Sequence, residues 1–374
     1  MRTIIIGGGA SGLACAIKIK QANKAHQVTI LEHLDTVGKK ILATGNGRCN
    51  ITNKNAKNYE ITKEFFDSLG LVMREDDEGR MYPYSNQAAS VLEILKYNCS
   101  KLDIETVYEC KVKGAENIDG IYNVYTDQGT YWGENLVLAT GGKSQKALGS
   151  DGSGYALAKS LGHTITDLSP ALVQLKSSSR HCRALKGLRT KCNLKIEING
   201  NIVGEDYGEL LFAEYGISGI VVMNIAHLIN DNKLKSGEHK AIACIDFVPN
   251  MTENEIVEHC KRFGNLIGIL PERLCAIIKK QANGDIEKEA QYVKNWRIII
   301  TGTKGYDFAQ ITKGGVNTNE LDSNYQSILN KGLYIVGELT DNQFCCGGYN
   351  LDFAFSSGII AANNIIKECK KWLE

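Results

Sequence analysis

The sequence has few prolines and no excess of charge of either sign. Four prolines occur in 374 residues, and 43 basic residues are balanced by 42 acidic ones, for a formal net charge of +1. This balance provides no electrostatic footprint for a nucleic-acid partner. Glycine, in contrast, is abundant at 38 residues, above the ~7% that is average for proteins. The combination argues against low complexity and for many tight backbone turns.

Long apolar runs and metal-type cysteine spacings are also missing. No stretch approaches the ~20 apolar residues of a membrane helix. The apolar start is interrupted at Gly7–Gly9 and soon reaches Lys18, unlike a secretory leader. Twelve cysteines are scattered without a C-x-x-C pair, and Cys345 and Cys346 are adjacent. We therefore expect a soluble, cytoplasmic protein with reduced thiols, no membrane partner and no metal site.

A glycine-rich turn follows the first predicted strand, Thr3–Ile6. It contains Gly7, Gly9 and Gly12 in a G-x-G-x-x-G pattern. A predicted helix and a second strand follow, and that strand ends at Glu32. This order predicts dinucleotide binding, because the glycines permit the turn, the approach of a pyrophosphate and close helix packing. Glu32 suits ribose hydroxyls and disfavours NADP, whose 2′-phosphate it would repel.

The segments after the second strand favour FAD over NAD. A simple dehydrogenase would continue with βα units, whereas residues 37–53 are polar, glycine-rich and without clear periodicity. Two later predicted strands, 136–139 and 333–336, end in Thr140–Gly142 and Gly337–Glu338. Such loops suit a bulky cofactor that lies across the sheet edge. No second G-x-G-x-x-G occurs, so NAD(P)H, if it is the electron donor, is expected to bind transiently.

A double-glycine turn opens the last predicted helix, and it is the strongest mechanistic signal in the sequence. After Gly348, the first N–H groups of this helix are expected at the flavin N1–O2 edge, where a positive helix end stabilises negative charge. The catalytic residues are less defined, and the weak candidates are Tyr349, Cys345, Cys346 and Cys49. For each of them a packing role is the favoured interpretation.

Several stretches carry a resemblance to a known family: "IIIGGGASGLACA", "GKKILATGNGRCNITN", "EDDEGRMYPYSNQAASVLEIL", "GELLFAEYGISG", "ITKGGVNTNEL" and "GGYNLDFAFSSGIIAANNI". They resemble the NAD(P)/FAD-dependent oxidoreductases of the aminoacetone oxidase and dehydro-bile-acid reductase type. The resemblance implies an α/β fold with a Rossmann-like FAD-binding domain at 1–167 and 310–374. It also implies an inserted β-rich substrate domain at 168–250 and 297–309, with a small helical subdomain at 251–296.

Two features depart from the family pattern. The chain between Asn53 and Phe65 is shorter than in the relatives, and Asp352 stands where an uncharged amide is usual. Either difference could change access to the flavin or the polarity beside it.

The motifs and the resemblance together predict an FAD site. Its expected residues are Gly7, Gly9, Ala10, Ser11, Gly12, Glu32, Lys40, Gly45, Gly47, Arg48, Cys49, Asn50, Thr140, Gly141, Gly142, Gly337, Glu338, Gly348, Tyr349, Asn350 and Leu351.

The expected activity is FAD-dependent, NAD(P)H-linked reduction of an activated C=C bond in a hydrophobic, steroid-like small molecule. An amine oxidase of the aminoacetone oxidase type that uses O₂ is the alternative within enzymes. The alternative of another class is a non-catalytic flavin redox sensor or an RNA-associated flavoprotein, although the near-zero net charge argues against RNA. The sequence leaves the substrate, the proton donor and the oligomeric state open.

Overall fold

The chain forms alternating strands and helices where the apolar periodicities predict them. The computed structural model describes residues 1–231 and 241–371. Residues 232–240 of the expected β-rich segment and 372–374 lie outside the described residues. The strands are β1 Arg2–Ile6, β2 Gln27–Leu31, β3 Thr52–Asn53, β4 Met73–Glu75, β5 Arg80–Pro83, β6 Glu105–Val107, β7 Val112–Ile118, β8 Ile121–Thr126, β9 Thr130–Gly133, β10 Asn135–Leu138, β11 Ser169–Ala171, β12 Leu175–Ser177, β13 Arg189–Ile198, β14 Asn201–Ala213, β15 Gly216–Ser218, β16 Ala241–Asp246, β17 Trp296–Thr303, β18 Ile311–Lys313 and β19 Leu333–Ile335.

The helices are α1 Ala10–Ala22, α2 Lys39–Ala43, α3 Tyr59–Ser68, α4 Ala88–Lys101, α5 Ser153–Ser160, α6 Arg180–Ala184, α7 Ile220–Ile225, α8 His227–Asp231, α9 Glu253–Phe263, α10 Glu272–Ala282, α11 Ile286–Lys294 and α12 Tyr349–Lys371. None of these described helices is both long enough and apolar enough to cross a membrane.

Two units make up the chain. Unit 1 comprises Met1–Leu168 and Ile311–Glu374, and unit 2 comprises Ser169–Gln310. Unit 1 is therefore built from both ends of the sequence.

The centre of unit 1 is a parallel sheet with the strand order β19-β10-β1-β2-β6. Ile4 of β1 lies opposite Leu136 on one side and Thr29 on the other. The inner strands are buried on both faces, as expected for a parallel sheet covered by other elements, so their sequences are almost continuously apolar. Two small antiparallel sheets, β3-β5-β4 and β7-β8-β9, complete the unit. The Rossmann-like part of the predicted fold is confirmed.

Unit 2 contains a closed barrel with the strand order β12-β15-β14-β13-β16-β17. In β13 the side chains of Leu194, Ile196 and Ile198 are buried while those between them are partly exposed, as the alternating pattern predicts. Trp296 at the start of β17 is 2% exposed and belongs to the same apolar core.

Helices α9, α10 and α11 follow β16 in unit 2. The predicted capping box at the start of α9 is confirmed: Thr252 N–H donates to Glu255 Oε2 at 2.7 Å, and Glu255 N–H donates to Thr252 Oγ1 at 3.3 Å. These two bonds satisfy backbone donors that have no partner within the helix.

We expect Thr252→Ala to lower the free energy of unfolding by about 1 kcal/mol, because the side-chain cap of α9 is lost. Denaturant titration followed by circular dichroism measures the effect. Thr252→Ser, which keeps the hydroxyl, is the matched control, and equal losses in both variants would contradict the capping role.

Candidate functional site

The glycine turn after β1 brings backbone groups together at the carboxyl end of the sheet. Gly7 has φ of +103°, which favours glycine, and Gly9 caps α1, whose first residues are Ala10 and Ser11. A Cβ placed on Gly12 would lie 2.0 Å from the carbonyl oxygen of Gly7, so α1 packs directly on the turn. A Cβ on Gly9 would meet no atom within 4 Å. The turn therefore leaves open space at Gly9, beside the start of a helix.

Glu32 follows β2 and is 6% exposed. Its Oε2 accepts from the N–H of Gly8 at 2.8 Å, and its Oε1 accepts from the N–H of Leu34 at 2.9 Å. Burial raises the pKa of this carboxyl, but the hydrogen bonds from His33, Leu34 and Gly8 outweigh it and hold the pKa below its ordinary value. Glu32 is thus an ionised group that orders the glycine turn, and it keeps lone pairs for a ligand hydroxyl.

The ends of β10 and β19 meet at a carboxylate. Glu338 Oε2 forms an ion pair of 2.8 Å with Lys40 Nζ, and its Oε1 accepts from Thr312 N–H at 2.9 Å. Gly142 lies against the same carboxylate, since a Cβ there would be 2.5 Å from Glu338 Oε1. Thr140 Oγ1 is buried without a hydrogen-bond partner among the described residues. Gly141 stands between these two β10-end residues, and Gly337 precedes Glu338.

The segment from Thr44 to Asn53 is irregular because several of its residues have left-handed backbone. Gly45 and Gly47 lie in a broken 3₁₀ turn. Arg48 is exposed, and its guanidinium lies 4.8 Å from the ring centroid of Tyr82. The Oδ1 atom of Asn50 is buried without a partner among the described residues. This segment therefore presents an exposed cation and an unpaired amide oxygen.

The double glycine positions the start of α12 beside that segment. Gly348 has φ of +98°, and a Cβ there would lie 2.7 Å from Asn50 Oδ1. Asn53 Nδ2 donates to the carbonyl of Gly347 at 3.0 Å. Tyr349 begins the helix, and Leu351 packs on the core of unit 1. The structure thus brings the glycine-rich segment and the helix start together, although they are almost 300 positions apart.

Asn350 has a role that the sequence did not indicate. Its Oδ1 accepts from Phe344 N–H at 2.9 Å, and its Nδ2 donates to the carbonyls of Phe344 at 2.9 Å and Cys345 at 3.1 Å. The side chain therefore closes the turn that contains both glycines.

The three candidate cysteines differ in accessibility. Cys49 is fully buried, and burial raises the pKa of its thiol to about 12, which disfavours the thiolate that a nucleophile needs. Cys345 is exposed and Cys346 is partly exposed at the turn before α12. Cys49 therefore matches the packing alternative better than the catalytic one.

Thr312 was not among the residues expected at the site, although it lies in the quoted stretch "ITKGGVNTNEL". Its Oγ1 accepts from Lys143 N–H at 2.8 Å and lies 3.0 Å from Ser144 Oγ. Because its N–H also reaches Glu338, Thr312 joins the ends of β10, β18 and β19. A single threonine carries no spacing signal, so only the fold reveals this contact.

These residues fit a flavin dinucleotide. A Cβ at Gly9 would project into open space that a ligand can occupy. Two helix N-termini provide backbone donors for anionic groups. Thr140 Oγ1 and Asn50 Oδ1 are buried polar atoms that lack partners within the described chain. Such atoms are costly unless a ligand or water completes them.

Comparison with known proteins agrees with this geometry. The model of the HI0933-like protein Rossmann domain matches residues 1–64 and 57–364. The 3-dehydro-bile acid delta(4,6)-reductase of Clostridium scindens is 36% identical, over 96% of this chain and 97% of that protein. The ribosomal RNA dihydrouridine synthases of Haemophilus influenzae and Escherichia coli are 28% and 27% identical, over at least 97% of both chains.

The chain belongs to the HI0933-like family. The expectation of an enzyme, specifically an FAD-dependent oxidoreductase with a Rossmann-type nucleotide-binding domain, is confirmed. The alternative of a non-catalytic sensor is thereby set aside.

Solved structures share the fold at low sequence identity. The 3-ketosteroid delta1-dehydrogenase of Sterolibacterium denitrificans has a TM-score of 0.57 at 11% identity, over 98% of this chain and 99% of that one. A flavocytochrome c3 fumarate reductase has a TM-score of 0.52 at 14% identity, over 98% and 78%.

Two glycine substitutions separate folding from cofactor binding. Gly12→Ala puts a methyl group against the Gly7 carbonyl, and we expect a loss of about 3 kcal/mol in the free energy of unfolding. Gly9→Ala has room and a compatible backbone, so we expect stability within ~0.5 kcal/mol of wild type but FAD affinity about tenfold weaker or worse. Denaturation and flavin fluorescence titration measure the two effects. Unchanged FAD affinity in Gly9→Ala would place the pyrophosphate elsewhere.

The lowered pKa of Glu32 predicts a specific acid sensitivity. Its stabilising effect is present above the ordinary glutamate pKa of 4.5 and is lost as the pH falls through the lower folded-state value. We therefore expect wild type to be more stable than Glu32→Gln at pH 7, and this difference to shrink below pH ~4.5. Denaturant titrations of both proteins across this range test it, and a constant difference would argue against an ionised Glu32.

Proposed function

We propose that this enzyme uses FAD to reduce a C=C bond conjugated to a carbonyl group. The open space at Gly9, at the start of α1, is the observation on which the proposal rests. The relatives' names support the reaction type. The bile-acid reductase acts on delta(4,6) double bonds next to a 3-oxo group, and dihydrouridine arises by reduction of a double bond in the uracil ring.

Unit 1 supplies the residues that would hold FAD. Backbone donors at Gly9, Ala10 and Ser11 would hold the pyrophosphate, because free N–H groups and the helix dipole attract phosphate. Glu32 would accept from a ribose hydroxyl with the acceptor capacity that Gly8, Leu34 and His33 leave free. The remaining expected contacts are Gly7, Gly12, Lys40, Gly45, Gly47, Arg48, Cys49, Asn50, Thr140, Gly141, Gly142, Gly337, Glu338, Gly348, Tyr349, Asn350 and Leu351.

When bound, FAD supplies hydride transfer, which amino-acid side chains do not provide. The start of α12 contributes a positive helix end that favours negative charge beside it. Thr140 Oγ1 and Asn50 Oδ1 are the unpaired polar atoms that a ligand can complete. The Lys40–Glu338 ion pair keeps the wall at β10 and β19 close to neutral and fixes both long side chains.

NAD(P)H is proposed as a transient electron donor. The sequence contains one G-x-G-x-x-G turn, and Glu32 beside it suits ribose hydroxyls rather than a 2′-phosphate. A second nucleotide would therefore bind without a dedicated Rossmann turn and leave after it has delivered its hydride.

A hydrophobic enone of steroid-like size is the first candidate acceptor. The 36% identity to the bile-acid reductase supports it. Phe344, in the turn before α12, is 39% exposed, and its ring centroid lies 5.4 Å from that of Phe353. Because Asn350 holds the backbone of Phe344, this ring offers a fixed apolar surface beside the helix start.

A uridine in ribosomal RNA is the second candidate acceptor. Two relatives carry that activity in their names and match this chain over nearly its full length. The exposed guanidinium of Arg48 on Tyr82 favours it, because such a cation can contact a phosphate and stack on a base. This candidate departs from the absence of nucleic acid that we expected from the net charge.

Anaerobic spectroscopy of the purified full-length protein tests the proposal. We expect near-stoichiometric FAD, loss of the flavin absorbance on adding NADH or NADPH, and its return on adding an acceptor. Recovery with a 3-oxo-Δ4,6 steroid acid supports the first candidate, and recovery with unmodified ribosomal RNA supports the second. Absence of flavin, or no recovery with either acceptor, would overturn the proposal. Rapid peroxide formation with aminoacetone in air would instead favour the oxidase.

Two variants separate the acceptors. Phe344→Ala removes the exposed aromatic surface, and we expect KM for the steroid to rise about fivefold or more with RNA turnover unaffected. Arg48→Met keeps an unbranched stem without the charge. Because Arg48 is also an expected FAD contact, this variant is assayed at saturating FAD, where we expect KM for the RNA to rise and steroid turnover to be unaffected. Equal effects of both variants on both acceptors would show that neither side chain selects the substrate.

A further inference from the structure

A buried carboxyl in the first turn of α12 has no part in the function proposed so far. Asp352 is 3% exposed, and no ion pair to it occurs among the described residues. Thr52 Oγ1, itself fully buried, donates to Asp352 Oδ1 at 2.6 Å. Burial of a carboxyl without a cation costs free energy, so a role limited to packing would be better filled by an apolar side chain.

Most of the groups near Asp352 belong to one stretch of chain, residues 52–62. Burial raises the pKa of the carboxyl, while Thr52, Thr62 and the backbone of Asn58 partly oppose this by lying close to it. Tyr325 also faces Asp352, whose charge adds to the effect of burial in raising the pKa of the phenol. Asp352 therefore connects the chain from β3 to α3 with the first turn of α12.

The same stretch carries residues of the cofactor site. Asn50 lies two residues before Thr52, and Gly348 lies one helical turn before Asp352. Asn50 and Gly348 are in close contact, and Asn53 bonds the carbonyl of Gly347. The Thr52–Asp352 bond joins the same two segments, since Thr52 lies between Asn50 and Asn53 and Asp352 lies one turn after Gly348.

We propose that Asp352 is a positioning residue of the FAD site, which fastens residues 50–53 to the first turn of α12. The inference rests on the proposed function insofar as that edge binds FAD. The hydrogen bond between Thr52 and Asp352 carries this effect. A side chain at position 352 must have an oxygen that accepts from Thr52, and a side chain without such an oxygen no longer holds residues 50–53 on α12.

Four variants and one control test the proposal in the full-length protein. Asp352→Ala and Thr52→Val remove one partner each, and we expect the Kd for FAD to rise about tenfold. Asp352→Asn keeps an acceptor oxygen and Thr52→Ser keeps the hydroxyl, so both are expected within ~3-fold of wild type. Ser356→Ala is the matched control. It removes the 3.0 Å bond that Asn58 Nδ2, just before α3, donates to Ser356 Oγ of α12. This bond lies one helical turn farther from Gly348, so its loss should leave FAD affinity unchanged.

Hydrogen exchange of the FAD-free protein provides a readout that does not depend on the cofactor. We expect faster exchange at residues 45–53 in Asp352→Ala and Thr52→Val than in Ser356→Ala. Unchanged exchange and unchanged FAD affinity in Asp352→Ala would overturn the inference, as would an equal loss of FAD in Ser356→Ala. If wild type binds no FAD, the proposed function fails, while the exchange data still decide whether Asp352 fastens the segment.

Discussion

The cofactor edge of unit 1 depends on the close crossing of α1 and α12. A Cβ on Gly358 would lie 2.2 Å from the carbonyl oxygen of Ser11, and one on Gly12 would lie 2.0 Å from that of Gly7. Only residues without side chains allow backbones to approach so closely. Because of these two contacts, the first turn of α1 packs against both the Gly7 turn and α12. The positive end of the α1 dipole is thereby available at the carboxyl edge of the sheet.

Three acidic side chains of unit 1 have different hydrogen-bond or ion-pair partners. Glu32 is held by backbone N–H groups, and Glu338 is paired with Lys40. Asp352 has a hydroxyl as its hydrogen-bond donor and no cation. Two of the carboxyl groups differ in pKa for this reason. The pKa of Glu32 is lowered and that of Asp352 is raised. Unit 1 thus combines a carboxylate held by backbone donors, a neutral ion pair and a buried carboxyl whose pKa is raised.

Much of the nucleotide half could be predicted from local sequence, because its determinants are local. A β-branched run, a glycine turn and a helix act within thirty residues, so Gly7, Gly12 and Glu32 could be placed before the fold was known. The capping box of α9 is equally local. The contacts of Thr312, Asn350 and Asp352 could not be predicted in this way. Two of these residues contact segments that are distant in sequence, and the side chain of Asn350 closes a turn instead of facing outward. Which residues bind FAD remains a prediction.

The distribution of thiols has a practical consequence. Ten of the twelve cysteines are buried, and Cys345 and Cys346 are the accessible ones. Both lie in the turn that Asn350 fastens, immediately before the double glycine and α12. A maleimide dye or spin label added to the native protein would therefore attach at this turn without engineered cysteines. The natural sequence thus contains its own attachment point for a spectroscopic reporter of the helix start.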